Sequence, residues 1–241
     1  NSTLPNLAGD FDFQRRFSPS LIGGEGKFSF QMHGHRRASS IDFDANGDGF
    51  TDLYVVSGGN EFSGNNGVLL DRLYFNDGKG NFTKSANSLP SLFSNKSCVT
   101  AADIDKDGDL DLFIGTLADA KAYGISQTSY LLVNDGKGNF SMASKDIISL
   151  SSIGMVTSAS FTDINSDGWA DLLVAGEWMP LTIFTNMNGR FSRSEIAGST
   201  GLWQTLFIDD VNKDGHPDIL AGNWGWNNKF WSGKNGPVKL Y

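Results

Sequence analysis

The chain has 241 residues, 29 of them glycine, with 12% aromatic residues and a formal net charge of −8. This length suits one domain with a substantial core, and the negative charge argues against a nucleic-acid partner, which usually binds a basic face. No run of eighteen apolar residues is present, so the sequence predicts no insertion into a membrane. The single cysteine, Cys98, cannot form an internal disulfide and is predicted to be a buried thiol.

The first clear element in chain order is an acidic loop, DANGDGFTD, at residues 44–52. Oxygen-bearing side chains occupy positions one, three and five, a glycine follows at position six, and an aspartate closes the loop at position nine. Carboxylates held this close resist being ionised together, so a cation is expected among them. Alternating oxygens around a glycine turn are typical of calcium, which takes six to eight oxygen ligands.

The same loop recurs at 103–111, 163–171 and 210–218, with starts separated by 59, 60 and 47 residues. We therefore predict about four calcium ions per chain, each bound by the side chains at positions one, three, five and nine and by the backbone carbonyl at position seven. The predicted metal ligands are Asp44, Asn46, Asp48, Phe50 and Asp52; Asp103, Asp105, Asp107, Asp109 and Asp111; Asp163, Asn165, Asp167, Trp169 and Asp171; and Asp210, Asn212, Asp214, His216 and Asp218.

An EF-hand is excluded because it needs a glutamate at loop position twelve, where this chain has Val55, Ile114, Val174 and Ala221. Each loop is followed instead by a short apolar run such as LFIG or LLVAG, which predicts a buried strand. Hairpin patterns follow at 73–83, 131–141 and, in shorter form, 183–192. Four antiparallel strands per repeat, with the metal loop between the first two, predict an all-β fold built from β-propeller blades.

These loops and the NDGKGNF turns resemble the FG-GAP or VCBS repeats of integrin α-subunit heads and of many secreted bacterial proteins. The stretches DLYVVSGGNEF, GEWMP and GNWGWNNKF are similar to VCBS-repeat surface proteins of the ASPIC/UnbV type. The resemblance covers roughly residues 36–241 and implies a secreted or cell-surface location.

We predict a single domain over 1–241, with repeats at approximately 36–86, 96–146, 155–195 and 203–241 and a partial blade at 10–35. Two architectures remain open. The chain could close as a five-bladed ring, in which GGEGKFSF at 23–30 and PVKLY near the end complete one blade, or it could be part of a larger propeller. A closed ring is favoured because an open one exposes strand edges.

In a four-stranded meander, the second-to-third strand connections lie at the end of the blade opposite the metal loops. These connections, at 58–67, 116–127, 177–180 and 223–231, are long and aromatic, as recognition loops on a rigid scaffold often are. The predicted ligand-binding residues are Glu61, Phe62, Glu177, Trp178, Trp224 and Trp226. Tryptophans there could form a sugar-stacking platform, or they could pack between blades.

Two functions from different classes follow. The first is a non-enzymatic, extracellular or cell-surface calcium-binding propeller that binds a protein or a glycan. The second is a carbohydrate-active enzyme, a polysaccharide lyase or hydrolase, for which Glu61 and Glu177 are a candidate carboxylate pair. The sequence contains no nucleophile elbow, zinc signature or phosphate-binding glycine loop, which favours the first.

Overall fold

The computed structural model describes residues 39–224, and within this range the chain is all β. All sixteen strands pair antiparallel. The only helical element in this range is a 3₁₀ turn, Gly67–Leu69. None of the described residues forms a helix long and apolar enough to cross a membrane.

The first two repeats each form a four-stranded sheet. The first sheet contains β1 (Ser40–Phe43), β2 (Asp52–Val55), β3 (Arg72–Asn76) and β4 (Phe82–Lys84), hydrogen-bonded in chain order. The second repeat contains β5 (Lys96–Ala102), β6 (Asp111–Thr116), the accessory strands β7 (Ala118–Asp119) and β8 (Ala122–Ser126), then β9 (Tyr130–Asn134) and β10 (Phe140–Met142). Its sheet has the order β5-β6-β9-β10, while β7 and β8 form a separate hairpin.

The third and fourth repeats share one six-stranded sheet. The third supplies β11 (Met155–Thr162), β12 (Asp171–Met179), β13 (Thr182–Met187) and β14 (Arg190–Glu195), and the fourth supplies β15 (Gly201–Asp209) and β16 (Asp218–Asn223). The two repeats join where the end of β12 pairs with the start of β15, through Glu177 opposite Leu202 and Met179 opposite Gly201.

The sheets stack face to face, so each middle sheet is covered on both sides. In β6, Leu112 and Ile114 pack in a cluster with Tyr54 and Leu73 of the first sheet, whereas Phe113 packs in the next cluster with residues of the third. Because neighbouring residues of a strand face opposite sides, this burial explains why the strand after each acidic loop is continuously apolar. Burial of each such side chain contributes about 1.5–3 kcal/mol.

The first strands of successive repeats lie side by side: β5 contacts both β1 and β11, and β11 contacts β15. Four-stranded antiparallel sheets stacked with their first strands adjacent form a propeller-like fold. The predicted partial blade at 10–35 and the second half of the repeat 203–241 lie outside the described residues. The repeat boundaries, the five-bladed closure and the single-domain extent therefore stay predictions.

Candidate metal centre and recognition surface

Each acidic loop connects the first two strands of its repeat, and its ninth-position aspartate is the first residue of the second strand. The sixth-position glycine has φ of 86°, 99°, 83° and 86° in the four loops, in the left-handed region that favours glycine. The backbone at position four is also left-handed. The first loop has glycine there, Gly47, and the other three have Lys106, Ser166 and Lys213. The sixth-position glycine is thus required by the turn, as its spacing predicted.

In each loop, a backbone hydrogen bond holds the first-position carboxylate toward the inside of the loop. The amide of the sixth-position glycine donates to it at 2.8 Å in loop 44–52, 3.1 Å in loop 103–111, 2.7 Å in loop 163–171 and 2.8 Å in loop 210–218. Four loops from different parts of the chain therefore share one local conformation, as the repeated register predicted.

The loop at 103–111 has the closest convergence of acidic groups among the described residues. One carboxylate oxygen from each of Asp103, Asp105 and Asp111 lies within 4.8 Å of the other two. Two oxygens bound to one calcium ion at about 2.3–2.6 Å can be up to about 5 Å apart. These three side chains could therefore hold a single metal ion.

The electrostatics of this loop also favour a cation. Burial, together with neighbouring carboxylates, raises the pKa of Asp109 to about 6 and that of Asp111 to about 7. Oδ1 of Asp109 is buried without a hydrogen-bond partner. A buried acceptor without a partner is costly, and a bound cation relieves both that cost and the repulsion. Oxygen-only donors of this kind fit a hard cation such as calcium.

The other three loops carry asparagine at position three. Its side-chain amide donates to the fifth-position carboxylate at 2.9 Å in each of them, from Asn46 to Asp48, Asn165 to Asp167 and Asn212 to Asp214. Loop 103–111 has Asp105 at position three, so a carboxylate stands there beside Asp107 and the two repel each other. Burial, together with Asp107, raises the pKa of Asp105. The full twenty-residue ligand set stays a prediction.

The ninth-position aspartates are fully buried in three loops and hold the surrounding backbone. In Asp52, Asp111 and Asp171, one oxygen accepts from the second-position amide of its own loop at 3.0–3.2 Å. The other accepts from the amide of an asparagine at the end of the third strand of the same sheet, at 2.7–2.9 Å; Asn76 and Asn134 are the last residues of their strands and Asn186 is the last but one. Each loop is thus attached to the neighbouring hairpin turn.

The hairpin turns lie beside the acidic loops, at the same end of the sheets. A Cβ atom added to Gly47 in the first loop would lie 3.4 Å from the carbonyl oxygen of Gly136 in the turn of the second repeat. Lys106 of the second loop places its ammonium 4.1 Å from the ring centre of Trp169 in the third. We call this end of the sheets, formed by the acidic loops and hairpin turns, the metal face.

The opposite end carries the second-to-third strand connections, and we call it the recognition face. The connection at 116–127 was expected to be a long recognition loop, and it contains the β7–β8 hairpin. Glu177 and Trp178 were predicted in a loop, and that part of the prediction is wrong, because β12 extends to Met179 by pairing with β15. Trp226 lies outside the described residues.

The recognition face brings together a polar and aromatic cluster that we call the Tyr123 cluster, formed by Tyr123, Glu177, Trp178 and Gln204. The hydroxyl of Tyr123 donates to Glu177 Oε2 at 2.8 Å and accepts from the indole nitrogen of Trp178 at 3.0 Å. Gln204 donates to Glu177 Oε1 at 3.2 Å. Nothing in the sequence indicated Tyr123 or Gln204, which lie 54 and 27 residues from Glu177.

The remaining predicted recognition residues take different positions. Glu61 is exposed in the connection after β2, and Trp224 is exposed after β16. Phe62 lines a small cleft together with Asn95, Asp119 and Gln127. Asn95 is buried there and accepts from the amide of Gly59, so it joins the connections of the first two repeats. Glu61 and Glu177 belong to different repeats.

One buried ion pair escaped the sequence analysis. Lys96 Nζ lies 3.4 Å from Asp71 Oδ1, with both side chains almost inaccessible to solvent. Lys96 also donates to the backbone carbonyls of Leu69, Leu92 and Ser94. Because Asp71 precedes β3 and Lys96 begins β5, this pair joins the first repeat to the second. Cys98, on the same strand, is buried as predicted.

Stacked four-stranded sheets, each entered through an acidic glycine loop, define a repeat protein of the propeller type. The chain belongs to the FG-GAP-like repeat family, whose model matches residues 44–114, 120–174 and 163–221. The match supports the resemblance to FG-GAP repeats but does not show the ASPIC/UnbV type, which stays a prediction. A comparison with curated proteins finds none that matches.

Proposed function

We propose that the chain is a calcium-stabilised binding module of a secreted or cell-surface protein. The acidic loops of its metal face bind about four calcium ions, and its recognition face binds an extracellular protein or a glycan. The family match supports a module of binding or adhesion type. The observation that carries the proposal is the arrangement of the Tyr123 cluster at the end of the sheets opposite the metal loops.

Trp178 has a backbone conformation that the fold must impose. Its φ is 62°, in the left-handed region where a bulky residue is rarely found, and such strain costs about 1–3 kcal/mol. The bulge that pairs Glu177 and Met179 with β15 produces this conformation. The indole is then held by its hydrogen bond to Tyr123. Strained residues kept in place by surrounding structure are common at binding sites, which supports a recognition role.

The contacts of Glu177 favour binding over catalysis. A glycoside hydrolase needs a second carboxylate about 5–9.5 Å from the first. Glu177 accepts hydrogen bonds from the neutral donors Tyr123 and Gln204, which hold its orientation. A carboxylate used in this way fixes an aromatic surface, and exposed aromatic side chains such as Tyr123 suit stacking against a sugar ring or burial in a protein interface.

Replacement of Trp178 tests the recognition face. Trp178→Gly is expected to lower binding at least tenfold, because it removes the indole, while the free energy of unfolding stays within about 1 kcal/mol of wild type, since glycine tolerates the left-handed backbone. Binding is measured on a glycan array in millimolar calcium and in chelator, which tests ligand class and metal dependence together.

Phe207→Ala is the matched control, because Phe207 is an exposed aromatic residue of β15 outside the Tyr123 cluster. It should leave the array signal unchanged. Equal signals from wild type and Trp178→Gly would contradict the proposed location of the site, and unfolding of Trp178→Gly would assign the indole to the core.

A further inference from the structure

A continuous series of hydrogen bonds connects the acidic loops of three successive repeats. The side-chain amide of Asn134 donates to the carbonyl of Ala45 in the first loop at 2.9 Å, and that of Asn186 donates to the carbonyl of Ile104 in the second loop at 2.9 Å. These contacts join residues 89 and 82 positions apart in the chain. We call Asn134 and Asn186 the bridging asparagines.

Each bridging asparagine also holds a ninth-position aspartate through its backbone. The amide of Asn134 donates to Asp111 at 2.9 Å, and the amide of Asn186 donates to Asp171 at 2.7 Å. Every bridging asparagine therefore contacts its own loop through the main chain and the preceding loop through the side chain. The side chain of Asn186 also donates to the carbonyl of Ala170 in its own loop at 3.3 Å. The series runs from the third loop to the second and from the second to the first.

The orientation of the bridging amides follows from their partners. Asn134 Oδ1 accepts from the amide of Asp135, and Asn186 Oδ1 accepts from the amide of Gly189, both at 2.9 Å. A backbone carbonyl can only accept, so the Nδ2 groups must face Ala45 and Ile104. Both side chains are buried, which makes the loss of either bond costly.

The contacted peptide groups lie between predicted metal ligands. Ala45 separates Asp44 from Asn46, and Ile104 separates Asp103 from Asp105. The amide of each contacted residue donates to the ninth-position aspartate of its loop. A bridging asparagine thus restrains the first, third and ninth ligands of the preceding loop through one peptide group.

We propose that calcium binding in neighbouring loops is positively coupled through Asn134 and Asn186. This inference rests on the proposed calcium binding. An ion that fixes Asp171 orders the backbone of Asn186, whose side chain then holds the second loop in its binding conformation, so less conformational entropy is lost when that loop binds its ion. The coupling is reciprocal, because linkage requires each ion to affect the other equally. Direct repulsion between two cations has the opposite sign and cannot produce it.

Terbium luminescence can report one loop selectively. Trp169 occupies position seven of the third loop, whereas the corresponding residues of the others are Phe50, Asp109 and His216. Luminescence sensitised by Trp169 therefore reports terbium in loop 163–171, with calcium as competitor. Because Lys106 of the second loop also lies against the Trp169 ring, the signal of an Asp167→Ala variant, which disables the third loop, is subtracted as the contribution of loop 103–111. The second loop is disabled by Asp107→Ala, an exposed predicted ligand. The titration is then repeated in an Asn186→Ala background, which completes a double-mutant cycle.

We expect Asp107→Ala to raise the terbium concentration for half-saturation of the third loop at least about fivefold, the lower end of typical coupling between sites. In the Asn186→Ala background, Asp107→Ala should change the terbium concentration for half-saturation less than about twofold. Asn76→Ala is the matched control, because the amide of Asn76 also donates to the ninth-position aspartate of its loop, whereas its side chain donates within its own repeat, to Thr51. The fivefold effect should persist in that background.

The coupling would be overturned if Asp107→Ala changed the half-saturation concentration of the third loop less than twofold in the otherwise native chain. It would also be overturned if Asp107→Ala had the same effect with and without Asn186. Absence of any sensitised luminescence that calcium displaces would instead contradict metal binding by the third loop. Circular dichroism verifies that each variant is folded. If Asn186→Ala does not fold, Asn186→Leu, which fills more of the buried space, takes its place in the same cycle.

Discussion

Removal of bound calcium is expected to lower the melting temperature of the protein by well over ten degrees. Calcium modules outside cells bind with dissociation constants of about 10⁻⁴ to 10⁻³ M, so at about 1 mM calcium each loop adds up to about 1.4 kcal/mol. Four loops together add up to about 6 kcal/mol, which is comparable with the net stability of an ordinary domain, about 5–15 kcal/mol. For a chain of this size, 1 kcal/mol corresponds to about 2–4 °C.

The structure adds a second reason for this large effect. Without metal, the thirteen carboxylates that are predicted side-chain ligands, three, four, three and three per loop, repel one another within tight turns. Burial, with the nearby Asp105 and Asp109 carboxylates, raises the pKa of Asp111 to about 7. A chelator therefore removes a favourable contribution and leaves an unfavourable one.

Scanning calorimetry in calcium, in chelator and after calcium is restored measures the effect. Asp107→Ala, which damages one loop, should lose only a fraction of the full stabilisation. The structural role of calcium would be contradicted by an unchanged melting curve in a sample that elemental analysis shows to be free of metal.

Replacement of Lys96 by methionine is expected to destabilise the protein by about 3–5 kcal/mol, the range typical of breaking a buried ion pair from one side. The substitution leaves the Asp71 carboxylate without its cation and leaves three backbone carbonyls without their donor. Asp71 would retain only the Tyr54 hydroxyl at 2.8 Å and the Ser57 amide at 2.7 Å. Denaturant titration at constant calcium measures this loss.

The effect of Lys96→Met should depend on pH in a defined direction. Burial raises the pKa of Asp71 to about 6 in the folded protein, and the Lys96 charge opposes that rise. A folded-state pKa above the unfolded value means that the native state binds more protons, so this group's contribution to stability falls as pH rises between about 4 and 6. Without the Lys96 charge, the folded-state pKa of Asp71 is higher, so the pH range over which this contribution falls extends further upward. The difference between variant and wild type should therefore be smaller at pH 5 than at pH 8.

The double variant Asp71→Asn with Lys96→Met is the control, since it has no carboxylate at position 71, and its loss of stability relative to wild type should not grow between pH 5 and pH 8. Measuring differences at each pH cancels the titration of the acidic loops, which all variants share. If Lys96→Met lowered the free energy of unfolding equally at pH 5 and pH 8, the unpaired Asp71 carboxylate would not be the cause of the destabilisation.

Local patterns in the sequence were sufficient to predict the strands and the acidic loops. The glycine at position six, the alternating oxygens and the apolar run after each loop all act within about a dozen residues, so their conformation follows from neighbouring residues alone. The buried strand predicted from LFIG is correct because the sheets cover both of its faces.

The features that were missed depend on contacts between distant residues. Trp178 lies in a strand because β12 pairs with β15, and no local pattern near Pro180 indicates that pairing. Lys96 resembles an ordinary surface lysine until the fold places it beside Asp71. The bridging asparagines belong to turns whose local patterns, NDG at Asn134 and NMNG at Asn186, explain the hairpins but not the bonds to the preceding repeats. These contacts are fixed by how the sheets stack.

Equilibrium dialysis against millimolar calcium, followed by elemental analysis, tests most directly the central claim that the acidic loops bind calcium. The account predicts about four ions per chain and about one fewer in a variant with a single loop disabled, such as Asp107→Ala. Native protein that binds no calcium above the dialysis buffer, or a calcium content that loop substitutions leave unchanged, would contradict it.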